Sequence, residues 1–250
     1  MIRSSSVLRC LAAFVLVVAT ATASLAQAQQ PRVLVFSKTA GFRHASIPAG
    51  KAALLRLGAE NGLAVDTTED AARFTDAGLA PYRLVVFLST TGDVLDDAQQ
   101  AAFERWLRAG RGWVGVHAAT DTEYGWPWYG RLAGAYFTSH PGNPNVRKGT
   151  YRVLDTRHPA TAGFPDRIER EDEFYNFRNI QPDLHVLVDI DERTYEGGTN
   201  GANHPMSWYH EFDGGRAFYT AMGHTDETFA DPLFLRHLLG GIRWALGGAR

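Results

Sequence analysis

Four short apolar runs punctuate the first half of the chain: Val33-Leu34-Val35-Phe36, Leu63-Ala64-Val65, Leu84-Val85-Val86-Phe87-Leu88 and Trp113-Val114-Gly115-Val116. Each is continuous rather than alternating, the pattern of a strand covered on both faces in a parallel sheet. Between them the spacing changes to that of helices. Residues 47–61 carry Leu54, Leu55 and Leu57 before Gly62, and residues 96–109 set Ala102, Phe103, Trp106 and Leu107 on one face before Gly110. Alternating strand and helix predict a doubly wound α/β unit with a mostly parallel sheet, flavodoxin-like in kind. After Gly134 the pattern shifts to loops, aromatics and alternating strands at 151–154, 184–188, 206–209 and 216–219, with Asp213-Gly214-Gly215 as a hairpin turn. This predicts an added antiparallel C-terminal portion. A last helix over 231–246 is marked by Asp231 as N-cap, Pro232 at its first position and a stripe of Phe234, Leu238, Ile242 and Ala245. No repeat or linker divides the chain, so residues 31–248 read as one domain.

The start of the sequence has a different texture. Arg3 and Arg9 precede an apolar run at 11–19, and small-x-small sites follow at Ala21-Thr22-Ala23 and Ala26-Gln27-Ala28. That layout predicts a secretory signal peptide over residues 1–28, hence a periplasmic or secreted protein not held in a membrane after cleavage. The segment holds two arginines and no acid, so its loss lowers the formal net charge of -2 by a further two. Such a balance argues against nucleic acid or an anionic membrane surface as partner. Cys10, the only cysteine, lies in the segment, so a mature chain has no disulfide, thiolate nucleophile or cysteine metal site. No phosphate loop occurs and no Gly-x-Gly-x-x-Gly follows the first strand, so no nucleotide cofactor is expected.

Ligands of open α/β sheets sit at the carboxyl ends of the strands. Three histidines fall there: His44 after the first strand, His117 after the fourth and His224 after the last. His117 stands at the centre of Gly115-Val116-His117-Ala118-Ala119, the small-x-nucleophile-x-small pattern of a nucleophile elbow. Imidazole is a poor stable nucleophile but a good metal ligand and proton carrier, so the position keeps active-site geometry with altered chemistry. Imidazoles with a carboxylate suit zinc or another divalent transition metal, with His44, His117 and His224 as ligands. Glu171-Asp172-Glu173 reads either as a solvated acidic patch or, because Phe174 and Tyr175 follow, as a segment with one buried carboxylate. Alternation sends one of Asp172 and Glu173 into the pocket and the other to solvent, with Glu173 the favoured ligand or base. His140 and His204 lie in loops suited to a proton carrier; His158, His185, His210 and His237 read as structural or exposed. Trp126 and Trp208 offer flat faces to a sugar ring, whereas Tyr136 and Phe137 read as core.

Gly41-Phe42-Arg43-His44, Gly112 to Ala119, Ser139-His140-Pro141, His158-Pro159, Asp172-Glu173-Phe174-Tyr175, His204-Pro205-Met206-Ser207-Trp208 and Gly215 to His224 stand in an order and spacing that resemble the trehalose-utilisation, or ThuA-like, family. The resemblance runs from Arg32 to about Gly247. It implies a fold similar to class I glutamine amidotransferases, with His117 where those enzymes hold cysteine and His224 matching their later histidine, so glutaminase chemistry does not transfer. It further implies a role in disaccharide use, on 3-keto-glycosides made by a partner sugar dehydrogenase. Elimination across such a ketone needs a metal, a base and an acid rather than two opposed carboxylates. The expected catalytic set is Glu173, Asp172, His140 and His117, with Arg43, Asp121, Trp126, Tyr175 and Trp208 contacting a small sugar. The competing reading is a non-catalytic sugar-binding module; an unrelated metallohydrolase is a third.

Overall fold

The computed structural model describes residues 30–248, so the leader expected at 1–28 lies outside the described residues. The first half alternates as its sequence pattern predicts: β1 (Arg32–Phe36), α1 (Ile47–Glu60), β2 (Ala64–Thr68), the single turn α2 (Asp76–Leu79), β3 (Leu84–Leu88), α3 (Asp97–Arg108) and β4 (Gly112–Val116). The second half contains α4 (Pro127–Ala133), β5 (Tyr136–Ser139), β6 (Val146–Val153), β7 (Arg167–Glu173), β8 (Asn176–Arg178), β9 (His185–Asp191), β10 (Pro205–Phe212), β11 (Gly215–Thr220) and α5 (Pro232–Ala245). The helix starts follow local chemistry. Asp96 and Gln99 close a capping box on α3, and the Asp231 side chain accepts Leu233 N–H ahead of Pro232 in α5.

Nine strands form one sheet in the order β2-β1-β3-β4-β11-β10-β9-β6-β7, with β5 and β8 paired separately. The strands from β2 to β11 run parallel, and the last four alternate in direction. The doubly wound sheet with an antiparallel extension is thus observed, in the flavodoxin-like order for its parallel half. α1 and α5 cover one face, while α2, α3 and α4 cover the other. Beneath the latter, Phe36, Phe74, Phe87, Phe103, Trp113 and Tyr129 form a continuous aromatic layer, with neighbouring ring centroids 4.6–6.1 Å apart. Each fully buried ring of this kind contributes roughly 1.5–3 kcal/mol.

Two features bring distant segments to one rim. β11, from the end of the chain, lies between β4 and β10, which sets the residues after Val116 and Thr220 side by side. The antiparallel part then curls back: β7 is four strands from β11 in hydrogen-bonding order, about 19 Å in a flat sheet. Yet the Asp172 carboxylate on β7 accepts the N–H groups of Gly223 and His224. Register shifts around Ser207 between β10 and β9 mark bulges that permit such a bend.

Candidate metal centre

The strand-to-turn junction at His117 is the best-determined part of the site. His117 has φ of +52°, uncommon for a side chain with a Cβ, and opens the 3-10 turn His117–Thr120. The conformation is held from several sides: Tyr219 O–H donates to the His117 carbonyl (2.7 Å), Tyr129 O–H to that of Ala119 (2.7 Å), and His117 Nδ1 lies 2.8 Å from the Ala221 carbonyl. A carbonyl can only accept, so Nδ1 carries the hydrogen and Nε2 keeps its lone pair. That lone pair faces His224 Nδ1 at 3.2 Å and Glu173 Oε2 at 3.3 Å. Gly223, at φ +124°, lets the returning loop pass within 3.6 Å of His117 Cβ, measured from where a Cβ of its own would stand.

His44, His117, Glu173 and His224 each offer one ligand atom, and all four lie within 4.8 Å of one another. The three imidazole centroids are 4.7, 5.2 and 5.4 Å apart. His44, His117 and Glu173 are buried and His224 is partly so. His44 Nε2 lies 3.3 Å from the Tyr175 hydroxyl, while its Nδ1 is buried with no hydrogen-bond partner. Asn145 donates to Glu173 Oε1 at 2.5 Å and approaches His224 Nε2 at 3.3 Å.

The electrostatics fit a cation. Burial and the neighbouring imidazoles of His117 and His224 push His44 down to about 3, so it is a neutral donor. Burial opposes the charge on Glu173, but the neighbouring imidazoles of His117 and His224 and the Asn145 amide outweigh it and hold the carboxyl well below the usual range. Burial likewise opposes the charge on His224, and Glu173 reverses the effect and raises it. A neutral imidazole lone pair, an unpartnered buried nitrogen and an ionised carboxylate in one cluster are the donor set of a divalent transition metal with borderline-soft preference.

A cavity of about 310 Å³ opens beside the cluster, lined by His44, Glu173 and His224 together with Phe42, Asp121, Phe137, His140, Asn145 and Tyr175, while His117 is fully buried behind them. His140 Nδ1 is 3.5 Å from Glu173 Oε1 and 2.8 Å from its neighbouring Pro141 carbonyl. Asp121 accepts Tyr124 O–H at 2.6 Å, and burial raises its carboxyl. Tyr175 is buried beside His117, ring centroids 4.3 Å apart, and burial holds its hydroxyl protonated.

Other expectations are corrected. Asp172 does not turn to solvent: it is fully buried, and its carboxylate accepts the N–H groups of Glu173, Gly223 and His224. It positions His224 rather than facing the cavity. Trp208 is completely buried with its N–H on the Ala133 carbonyl, and Trp126 donates to Glu104 while stacking on Trp128, so neither indole reaches the cavity. The Arg43 guanidinium pairs with both oxygens of Glu69 on the outer surface, away from the cavity lining. His204 is buried between Glu192 and the Tyr175 carbonyl. Phe137 packs against the core as expected but also lines the cavity, and Asn145 and Phe42 join it unanticipated. Phe42 was visible within the motif of His44; Asn145 sits in a loop that carries no signal.

Among solved structures, the chain is similar to a ThuA-like protein from Bacteroides uniformis, at 24% identity over 90% of this chain and 94% of that one, with a TM-score of 0.74. A ThuA-like protein from Parabacteroides merdae follows at 20% identity, 88% and 91% coverage and a TM-score of 0.67. The fold also matches 32% of a β-galactosidase from Rahnella sp. R3, at 14% identity over 88% of this chain and a TM-score of 0.55. At these identities the likenesses show the amidotransferase-like fold alone. Among curated proteins, none matches the chain in sequence. The family model for trehalose utilisation, ThuA, matches residues 32–245, and the chain therefore belongs to the ThuA family.

Proposed function

We propose that this is an exported, metal-dependent enzyme that cleaves 3-keto-glycosides by elimination, with or without later hydration. The observation that carries the reading is the convergence of His44, His117, Glu173 and His224, three of which line a cavity large enough for a sugar ring. A divalent transition metal held by those four would supply Lewis acidity to a sugar carbonyl. Glu173, ionised far below neutral pH, suits a ligand better than a base. Proton transfer then falls to His140, whose Nε2 has no protein partner among the described residues, and to Asp121, whose raised carboxyl can carry a proton. His140 takes the C2 proton made acidic by the C3 ketone. The C–H electrons form the C1–C2 double bond as the C1–O bond breaks, and Asp121 returns a proton to the departing oxygen. Tyr175 and Asn145 hold the ring of ligands in place. The substrate is supplied by a dehydrogenase acting at C3.

The test is metal analysis and turnover together. Purified protein should carry about one divalent transition metal, and Glu173→Gln and His117→Ala should lower both metal content and turnover of a 3-keto-glycoside at least about a hundredfold with an unchanged circular dichroism spectrum. Cleavage of the unoxidised disaccharide at an equal rate overturns the elimination. Sugar binding without any turnover makes the protein a binding module.

A further inference from the structure

The cavity has an apolar lip that the reaction does not use. Phe42 is 66% exposed, the most exposed of the large hydrophobic side chains among the described residues. Its backbone is nonetheless tied down. The Thr91 hydroxyl donates to the Phe42 carbonyl at 2.8 Å, Ala40 and Gly41 N–H donate to the Thr91 carbonyl, and the next residue, Arg43, is clamped to Glu69. Its ring and that of His44 lie nearly perpendicular at a centroid distance of 4.9 Å, so it borders the ligand cluster while most of its surface stays in water. An apolar ring whose backbone is already fixed beside a cavity can meet a ligand with little further ordering cost.

The dimensions and charge indicate the occupant. About 310 Å³ is at the lower bound for ligand pockets, room for one sugar ring against His44, Glu173 and His224. A second ring must then lie outside, at the lip. None of the cavity-lining residues is Lys or Arg, while Asp121 and Glu173 are acidic, so the lining offers no guanidinium or ammonium partner for a phosphate or carboxylate on the sugar. We infer that Phe42 is the platform for the leaving group: its free face stacks on the C–H face of the second ring of a neutral, unphosphorylated disaccharide derivative while the oxidised ring enters the cavity. This rests on the keto-glycoside reading and adds the class of leaving group to it.

The experiment compares metal-loaded wild type and Phe42→Ala with two substrates, methyl 3-keto-glucoside and a 3-keto-disaccharide. The wild type should show a KM for the disaccharide about threefold to tenfold below that of the methyl glycoside, the range of one aromatic face contact. Phe42→Ala should erase that difference by raising the KM of the disaccharide more than that of the methyl glycoside, and should retain its metal. Equal effects on both substrates, or none, overturn the platform. If the wild type turns over neither keto-sugar, the elimination fails on its own account. The platform is then judged by calorimetric titration with the unoxidised disaccharide: weaker binding by Phe42→Ala supports it, and equal or undetectable binding by both proteins overturns it. Phe42→Trp, which keeps a flat face, should preserve the disaccharide preference.

Discussion

The carboxylate of Asp172 gathers backbone N–H groups from its own strand and from Gly223 and His224, which are 51 and 52 residues away in sequence. Asparagine in its place would turn a donor toward one of those donors. Asp172→Asn should therefore weaken zinc binding about 10- to 100-fold and lower stability by about 1–3 kcal/mol. Competition with a chromogenic chelator reads the first and urea unfolding the second; an unaltered zinc affinity would remove Asp172 from the positioning role. The same residue marks the limit of what the sequence could tell. Three histidines were legible because each ends an apolar strand, and Glu173 because Phe174 and Tyr175 draw its segment inward. The partners that tie Asp172 to the site are backbone N–H groups, which have no signature in sequence. Trp126 and Trp208 were misplaced for a related reason: an indole N–H satisfied inside the fold looks, in sequence, the same as one offered to a ligand.

At the level of elements, the elbow depends on its small residues. A Cβ at Gly115 would stand 2.3 Å from the buried indole of Trp113, which Phe87 and Tyr129 prevent from yielding. Gly115→Ala should cost about 1–3 kcal/mol in urea unfolding, in line with overpacking of a filled core. A neutral result would mean that the Trp113 ring moves freely. Elements with strong periodicity were readable: the parallel strands, their helices, the Asp231 cap and the two-residue turn Asp213-Gly214, whose φ values of +49° and +85° suit a primed hairpin. β5, β7 and β8 were not. β7 reads Arg-Ile-Glu-Arg-Glu-Asp-Glu, too charged to announce a strand, because it lies at the sheet edge, where charge discourages pairing with another chain.

For the whole molecule, metal and protons should act on stability in opposite ways. Zinc at a hundred times its Kd adds about 2.7 kcal/mol, a rise in Tm of roughly 5–10 °C for a domain of this size. His117→Ala should abolish the rise; scanning calorimetry with and without zinc decides. Acid works against the fold through His237, fully buried between the Ala160 carbonyl and Ser207 Oγ and pushed by burial down to about 4. The unfolded chain takes up that proton near pH 6.5, the folded one only near 4. Stability is therefore full above 6.5 and falls by up to about 3 kcal/mol as pH drops to 4. Metal-free protein unfolded in urea at pH 7 and pH 5 should show the fall, and His237→Gln should reduce it to the share left by His44, which burial also depresses; the same slope in both proteins would clear His237. The seating of β11 between β4 and β10 has a consequence for biogenesis. Until the last strand has left the ribosome and entered the gap, the parallel and antiparallel halves have no shared hydrogen bonds through it, and His224 is not beside His117. A nascent or truncated chain thus presents at most scattered ligands, so loading of the proposed ion would be a quality check passed only once β11 is seated.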